Sequence, residues 1–198
     1  MNPVLFVRKA IGRVRKMFFI RRFHSCDLSS GFEKSCKLVG TNHMNIGKNS
    51  FFGEGCEIIA LESHFEQGLN PCLNIGSHVR ITARGRITCA GNVTIEDDVL
   101  MAPDVFITDH NHGMNPTEPG GYSPQPLIVE DVRICEGVWL GQRACVLPGV
   151  TIGAHSIIGA NSVVTHDIPA YSIAVGSPAR VVKTWDKEKK MWVPVLKK

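Results

Sequence analysis

The sequence predicts a mainly β protein, a parallel β-helix of short strands stacked coil upon coil, and three observations carry that prediction. Large aliphatics fall at Ile128, Ile134, Leu140, Val146, Ile152, Ile158 and Val164, always six apart. A second series runs four residues behind it, at Val132, Val138, Ala144, Val150, Ser156, Ser162 and Ile168. Glycine follows the first series at Gly141, Gly153 and Gly159. A helix would repeat every ~3.6 residues and a two-faced strand every second residue. A period of six instead means strands of a few residues joined by tight corners, and a fixed short period is the mark of a solenoid.

The elements follow in order. Residues 3–23, PVLFVRKAIGRVRKMFFIRRF, hold seven Lys/Arg, while Val4, Val7, Ile11, Val14 and Phe18 recur at helical spacing. This segment reads as a basic amphipathic helix that caps the stack or lies on an anionic membrane surface. Residues 1–35 therefore form the cap, and residues 36–178 the solenoid. Its first coil places Ile46, Phe52 and Ile58 six apart, and the aromatic Phe52 in an interior slot implies a wide or capped end. LESHFEQGLNP, 61–71, breaks the period as a short excursion in which His64 reads as a surface residue. The repeat resumes at Ile75, Ile81 and Ile87, slips by two residues, and continues at Ile95, Met101 and Ile107; such a slip alters a corner without ending the stack. Residues 109–126, DHNHGMNPTEPGGYSPQP, are a loop by their turn chemistry. A loop this long inside a regular stack points to function. After Pro178 the period is lost, and residues 179–198 read as a tail with a final strand or helix leaning on the last coil.

At 198 residues, 20% charged and net charge +4, the chain fits one globular domain. Seven cysteines without a CxxC pair, two of them inside the repeat, read as reduced filler in a cytoplasmic protein. No apolar run approaches a membrane span and no cleavable leader is evident. Without a basic stripe or base-stacking motif over the remaining chain, nucleic acid is not an expected partner. The ends of an open stack need covering, and the flat flanks of a prism favour self-association with closed symmetry.

The concentrated chemistry is Asp109-His110-Asn111-His112. Neutral imidazole can take the proton of a substrate hydroxyl as that oxygen attacks a carbonyl. Such a base needs an orienting partner on its other nitrogen, which Asp109 or a backbone carbonyl could supply. The competing reading is a metal: residues i and i+2 of an extended segment share a face about 6.6 Å apart, so His110 and His112 could be two zinc ligands. A third is required, and His43, His64, His78, His155 and His166 offer no motif for it, so none is expected. Trp139, in GVWLGQ, covers a coil or forms a wall of a ligand slot, and Tyr122 in the loop could do the same.

Residues 75–183 resemble the hexapeptide-repeat acyltransferases, in particular the acetyl-CoA-dependent sugar O-acetyltransferases. The resemblance is carried by IEDDVLMAPDVFITDHNHG, VWLGQRACVLPGVTIGAHSIIGANSVVTHDIP and VGSPARVV. It implies a left-handed parallel β-helix with three strands per coil, a homotrimer, and acetyl-CoA lying in clefts between subunits with a loop histidine as general base. Counting nine residues from Pro103 reaches His112 without a gap and His110 only with one, so the resemblance prefers His112. Asn111, Tyr122 and Trp139 then fall on the acceptor side. Gly141, Ala160 and Thr165 match positions along the pantetheine arm, and Arg180 and Lys183 match basic positions near the nucleotide phosphates. His166 stands where the family often has lysine, which implies a differently tuned phosphate contact.

Departures narrow the branch. The acidic N-terminal segment of the maltose and galactoside enzymes, the helical domain of the serine enzymes, the helical insertion of the antibiotic-modifying enzymes and the α/β domain of certain nucleotide-sugar N-acetyltransferases are not found. What remains resembles enzymes that acetylate lipopolysaccharide, capsule or exopolysaccharide sugars, cytoplasmic or peripheral at the inner face of the membrane. The alternatives are N-acetylation of an amino sugar, a metal-dependent hydratase on the same solenoid, and a non-catalytic scaffold.

Overall fold

In the computed structural model, which describes residues 16–195, the chain winds into a left-handed parallel β-helix with three flat faces. Each face is a ladder of parallel strands, and one interior residue per strand sets its register. On the first face Ile46, Ile75, Ile95, Ile134 and Ile152 stand one above another, and Ile168 closes the column as an isolated bridge. On the second the column is Phe32, Phe52, Ile81, Met101, Leu140, Ile158 and Ala174. On the third it is Leu38, Ile58, Ile87, Ile107, Val146 and Val164.

Corner residues such as Val79, Val99, Val105, Val132, Val138, Ala144 and Val150 fill the space between columns, all essentially buried. The period of six thus maps onto one face of the prism. Side chains of column and corner point inward and everything between turns the chain. The buried serines in the second series have a physical reason. Ser156 Oγ donates to the Pro169 carbonyl at 2.8 Å and accepts from Ser172 N at 3.1 Å, and Ser162 Oγ accepts from Gly176 N at 3.1 Å. Near the shortened last coil these hydroxyls satisfy backbone groups that would otherwise be buried without partners.

Two expectations need correction. The coils begin at Ser25–Cys26 and Gly31–Phe32, which pair with Met44–Ile46 and Phe51–Glu54, so the solenoid starts before residue 36. Ile128 is not an interior position: it lies 43% exposed in the strand Leu127–Val129, and after the loop the stack resumes at Val132. Of the two forms expected for the tail, the strand is found: Ala179–Asp186 pairs antiparallel with Ser172–Gly176 and with Met191–Pro194, continuing the second face.

The expected aromatic end is present and capped. Residues 16–20 are helical, and Phe19, Phe23 and Phe32 lead down to Phe52, whose ring stacks on Phe32 at 4.5 Å and 13°. Full burial of one such ring contributes about 2 kcal/mol. Most of the amphipathic segment 3–23 lies outside the described residues. Among those described, no helix is long and apolar enough to cross a membrane.

Candidate active site

The site grows from the third face. The strand Phe106–Thr108 sits in register in the stack; the chain then leaves the prism as His110–His112, which pairs antiparallel with the returning Leu127–Val129. Asp109 occupies the hinge between scaffold and loop and is fully buried.

Its carboxylate is completely engaged. Oδ1 accepts from Ala90 N at 2.8 Å, Oδ2 from Gly91 N at 2.8 Å, and Oδ1 also meets His110 Nδ1 at 2.7 Å. Burial alone would raise this carboxyl. The hydrogen bonds from His110, Gly91 and Ala90 outweigh it and hold the group below its usual value.

The two-residue slip in the repeat now has a function. Between Arg86–Cys89 and Asn92–Ile95 the extra corner Ala90-Gly91 turns two backbone N–H groups toward Asp109. Gly91 must be glycine, since a Cβ there would run into Val129 Cγ1 on the returning strand. The histidine loop, its return strand and the irregular corner therefore form one unit.

The two histidines differ. The His110 side chain is only 14% exposed and its Nδ1 is tied to Asp109, while Nε2 has no hydrogen bond among the described residues. An imidazole whose Nδ1–H donates to a carboxylate presents an unprotonated Nε2, the form a base requires. His112 is exposed, and its ring meets the edge of His64 at a centroid distance of 5.0 Å. His64 is thus not a simple surface residue, because its Nε2 lies 2.9 Å from the Ser123 carbonyl. Among the described residues no three His, Cys, Asp or Glu gather in a way that could hold a metal ion.

Long-range bonds brace the loop. Gln67 brackets residue 127, accepting from Leu127 N at 2.6 Å and donating to Leu127 O at 3.2 Å. Buried Gln125 donates to the Asn115 and Gly121 carbonyls and accepts from Asn115 N at 2.9 Å. Gly113 packs tightly beside it, since a Cβ there would come within 2.8 Å of Gln125 Cβ. Gly91, His64, Gln67 and Gln125 were not legible as site residues; the only hints were the repeat slip and the broken period at 61–71.

The remaining candidates are spread over the prism. Asn111 faces outward beside the histidines, Tyr122 is exposed on the loop, and Trp139 is 47% exposed on the second face between Leu100 and Ile157. Gly141 is buried where coils approach closely, for a Cβ there would meet Ala160 N and Ile158 O at 2.7 Å. Ala160 and His166 are exposed at successive corners, and Thr165 Oγ1 lies 2.7 Å from His166 Nδ1.

Arg180 and Lys183 stand three apart on one strand, which would ordinarily put them on opposite faces. The register shift opposite Ile173/Ala174 changes that: Val175 pairs with Arg180 and Ile173 with Lys183, leaving Val182 as the extra residue. Since Ile173 and Val175 share a face, the bulge brings both cations to that face. Both are exposed, and neither joins an ion pair among the described residues, so the pair suits an anionic group such as a phosphate.

Three thiols are held away from the nucleophilic thiolate form. Burial, with the nearby Asp109 charge, pushes Cys89 up to about 12, and burial raises Cys135 and Cys145 as well.

Comparison with known proteins agrees with this architecture. Residues 131–166 match the family described as bacterial transferase hexapeptide (six repeats). The chain is 32% identical over 187 residues to "Putative lipopolysaccharide biosynthesis O-acetyl transferase WbbJ" of Escherichia coli (strain K12), covering 88% of this chain and 92% of that protein. Its fold is similar to that of AntD, an N-acyltransferase from Bacillus cereus solved with dTDP-4-amino-4,6-dideoxyglucose and coenzyme A. There the TM-score is 0.71 at 21% identity, covering 88% of this chain and 91% of the other. A maltose O-acetyltransferase from Clostridium difficile 630 superposes with TM-score 0.54 at 26% identity, over 84% and 72% of the two chains.

Proposed function

Because the chain belongs to the hexapeptide-repeat transferase family, we propose that it transfers an acetyl group from acetyl-CoA to a sugar hydroxyl during assembly of a cell-surface polysaccharide. The observation that carries the reading is the Asp109–His110 pair, a buried carboxylate fixing one imidazole nitrogen and leaving the other open. The O-acetyl transferase relatives favour oxygen over nitrogen as the accepting atom.

Acetyl-CoA supplies the activated acyl group. The chain's own task is to hold the acceptor hydroxyl against His110 Nε2, which takes its proton as the new C–O bond forms. The thioester C–S bond breaks as the tetrahedral intermediate collapses, and the proton leaves with the thiol. Asp109 stays ionised throughout and keeps the proton of neutral His110 on Nδ1. His110 is thus the base in this reading and His112 a neighbour on the acceptor side, the reverse of the order given by motif spacing. Asn111, Tyr122 and Trp139 border the acceptor. Gly141, Ala160, Thr165 and His166 line the donor arm, with Arg180 and Lys183 at its phosphates.

The working unit in this reading is a homotrimer. Trp139 and the histidine loop leave different faces of one chain, and a groove along Asn45, Asn74, Thr94 and Glu136 does not reach the loop. A cleft between copies would bring such faces together. The basic segment 3–23 would meet an anionic inner membrane surface; within the described part, exposed Met17 and Phe18 stand beside Lys16, Arg21 and Arg22. Substituting both His110 and His112 by Ala should leave a folded protein that binds acetyl-CoA and releases almost no thiol in the presence of acceptor sugars. Near wild-type turnover in that variant would remove the mechanism.

A further inference from the structure

The excursion 61–71 is more than a break in the period. It forms a two-stranded hairpin, Ser63–His64 against Gln67–Gly68, that leaves the prism two coils before the histidine loop and lies against it. Three contacts join the two across about sixty residues of sequence: the His64 ring with the Ser123 carbonyl, and the two bonds between Gln67 and the Leu127 backbone. These contacts fix the hairpin relative to His110–His112.

The hairpin carries one residue that its fold does not explain. Phe65 opens the two-residue turn with φ +49°, a conformation that suits glycine or asparagine and strains an aromatic residue. Its side chain is 67% exposed, although burying such a ring would stabilise the fold. Its ring meets His64 at 4.9 Å, and His64 meets His112 at 5.0 Å, so the rings form a continuous row that ends at the exposed phenyl. His110 and His112 share a face of their strand, so the row runs along the face on which His110 also stands. Met114 and Tyr122, also exposed, rise from the same loop.

We propose that this hairpin is the acceptor-side wall of the site, and that Phe65 is the platform on which the C–H face of a pyranose ring lies while its hydroxyl reaches His110. The proposal rests on the acetyltransferase reading for its acceptor class and adds a residue that determines acceptor binding. A pyranose fits because one side of the ring is a patch of C–H groups that an aromatic face covers, while its rim hydroxyls reach the polar His64 and His112.

The test uses the full-length protein loaded with CoA. Methyl β-glucopyranoside, methyl β-galactopyranoside and methyl α-rhamnopyranoside serve as probes, read by saturation transfer from protein to sugar ring protons. At least one probe should receive transfer from the wild type and from Phe65→Trp, and Phe65→Ala should lose it at least fivefold. CoA affinity by calorimetry and the oligomeric state should stay unchanged. Undiminished transfer in Phe65→Ala would overturn the platform. So would loss of CoA binding, a change in assembly with that variant, or absence of transfer from the wild type to every probe. If the probes bind as described yet release no thiol from acetyl-CoA, the acetyltransferase reading fails and the sugar platform stands.

Discussion

Replacing Asp109 by Asn keeps shape and volume and removes only charge and one acceptor, which makes it a sharp probe of the site. The carboxylate receives Ala90 N, Gly91 N and His110 Nδ1, all between 2.7 and 2.8 Å. An amide offers one oxygen for these three donors. With its oxygen toward His110 and Ala90, the NH2 group faces the Gly91 N–H, and a buried donor without a partner costs about 1–3 kcal/mol. With the amide turned over, its NH2 group faces His110 Nδ1, and the imidazole must move its proton to Nε2, where it can no longer accept one. Both arrangements harm the enzyme by different routes.

The expected result is a midpoint lowered by about 3–10 °C, at roughly 2–4 °C per kcal/mol for a chain of this size. Acetyl transfer should fall about 10²–10⁴-fold, the upper figure being that of the same exchange in a serine protease triad. Thermal unfolding followed by circular dichroism and thiol release with acetyl-CoA read the two effects. The pH dependence gives a third. The Asp109 carboxyl is held below its ordinary value in the fold, so its stabilising contribution is complete above about pH 4 and is lost as pH falls through the folded value. Asp109→Asn should therefore flatten the acid side of the stability profile. Transfer within threefold of wild type, with an unshifted midpoint, would refute the orienting role.

Other consequences can be checked directly. His110→Ala should reduce kcat about 10²–10⁴-fold and His112→Ala by less than tenfold; the reverse order in thiol-release kinetics would restore His112 as the base. Gly91→Ala, which drives a methyl into Val129, should cost about 1–3 kcal/mol by denaturant unfolding and lower activity through Asp109. Cys89, pushed up to about 12, should resist iodoacetamide at pH 8 in the folded protein while exposed Cys72 reacts, as read by peptide mass spectrometry. Arg180→Ala should raise the KM for acetyl-CoA and weaken its dependence on salt.

The scaffold was legible because a β-helix repeats one physical requirement. Each interior column accepts one aliphatic per strand, and so Ile134, Leu140, Val146, Ile152, Ile158 and Val164 announce the faces directly. Ile128 shows the limit of that reasoning: it continues the period by coincidence, on a strand that pairs with the histidine loop instead of the stack. Asp109, His110 and His112 were visible as chemistry, but their ranking depended on what the carboxylate faces. The carboxylate faces backbone N–H groups of Ala90 and Gly91, donors that no side-chain motif encodes. The same reason hid Gln67 and His64, whose partners are carbonyls and amides about sixty residues away.

Those hidden contacts cluster where the period fails, at 61–71, at Ala90-Gly91 and at 109–126. A stack with uniform coils has every inward position filled and every edge paired, so it offers no place for a buried charge. Each irregularity releases backbone groups from the ladder, and here three of them converge so that the freed donors hold Asp109 and the freed segments hold each other. The interruptions of the repeat are therefore where the site should be sought in such a chain, and the regular coils supply the rigid base that keeps them in register.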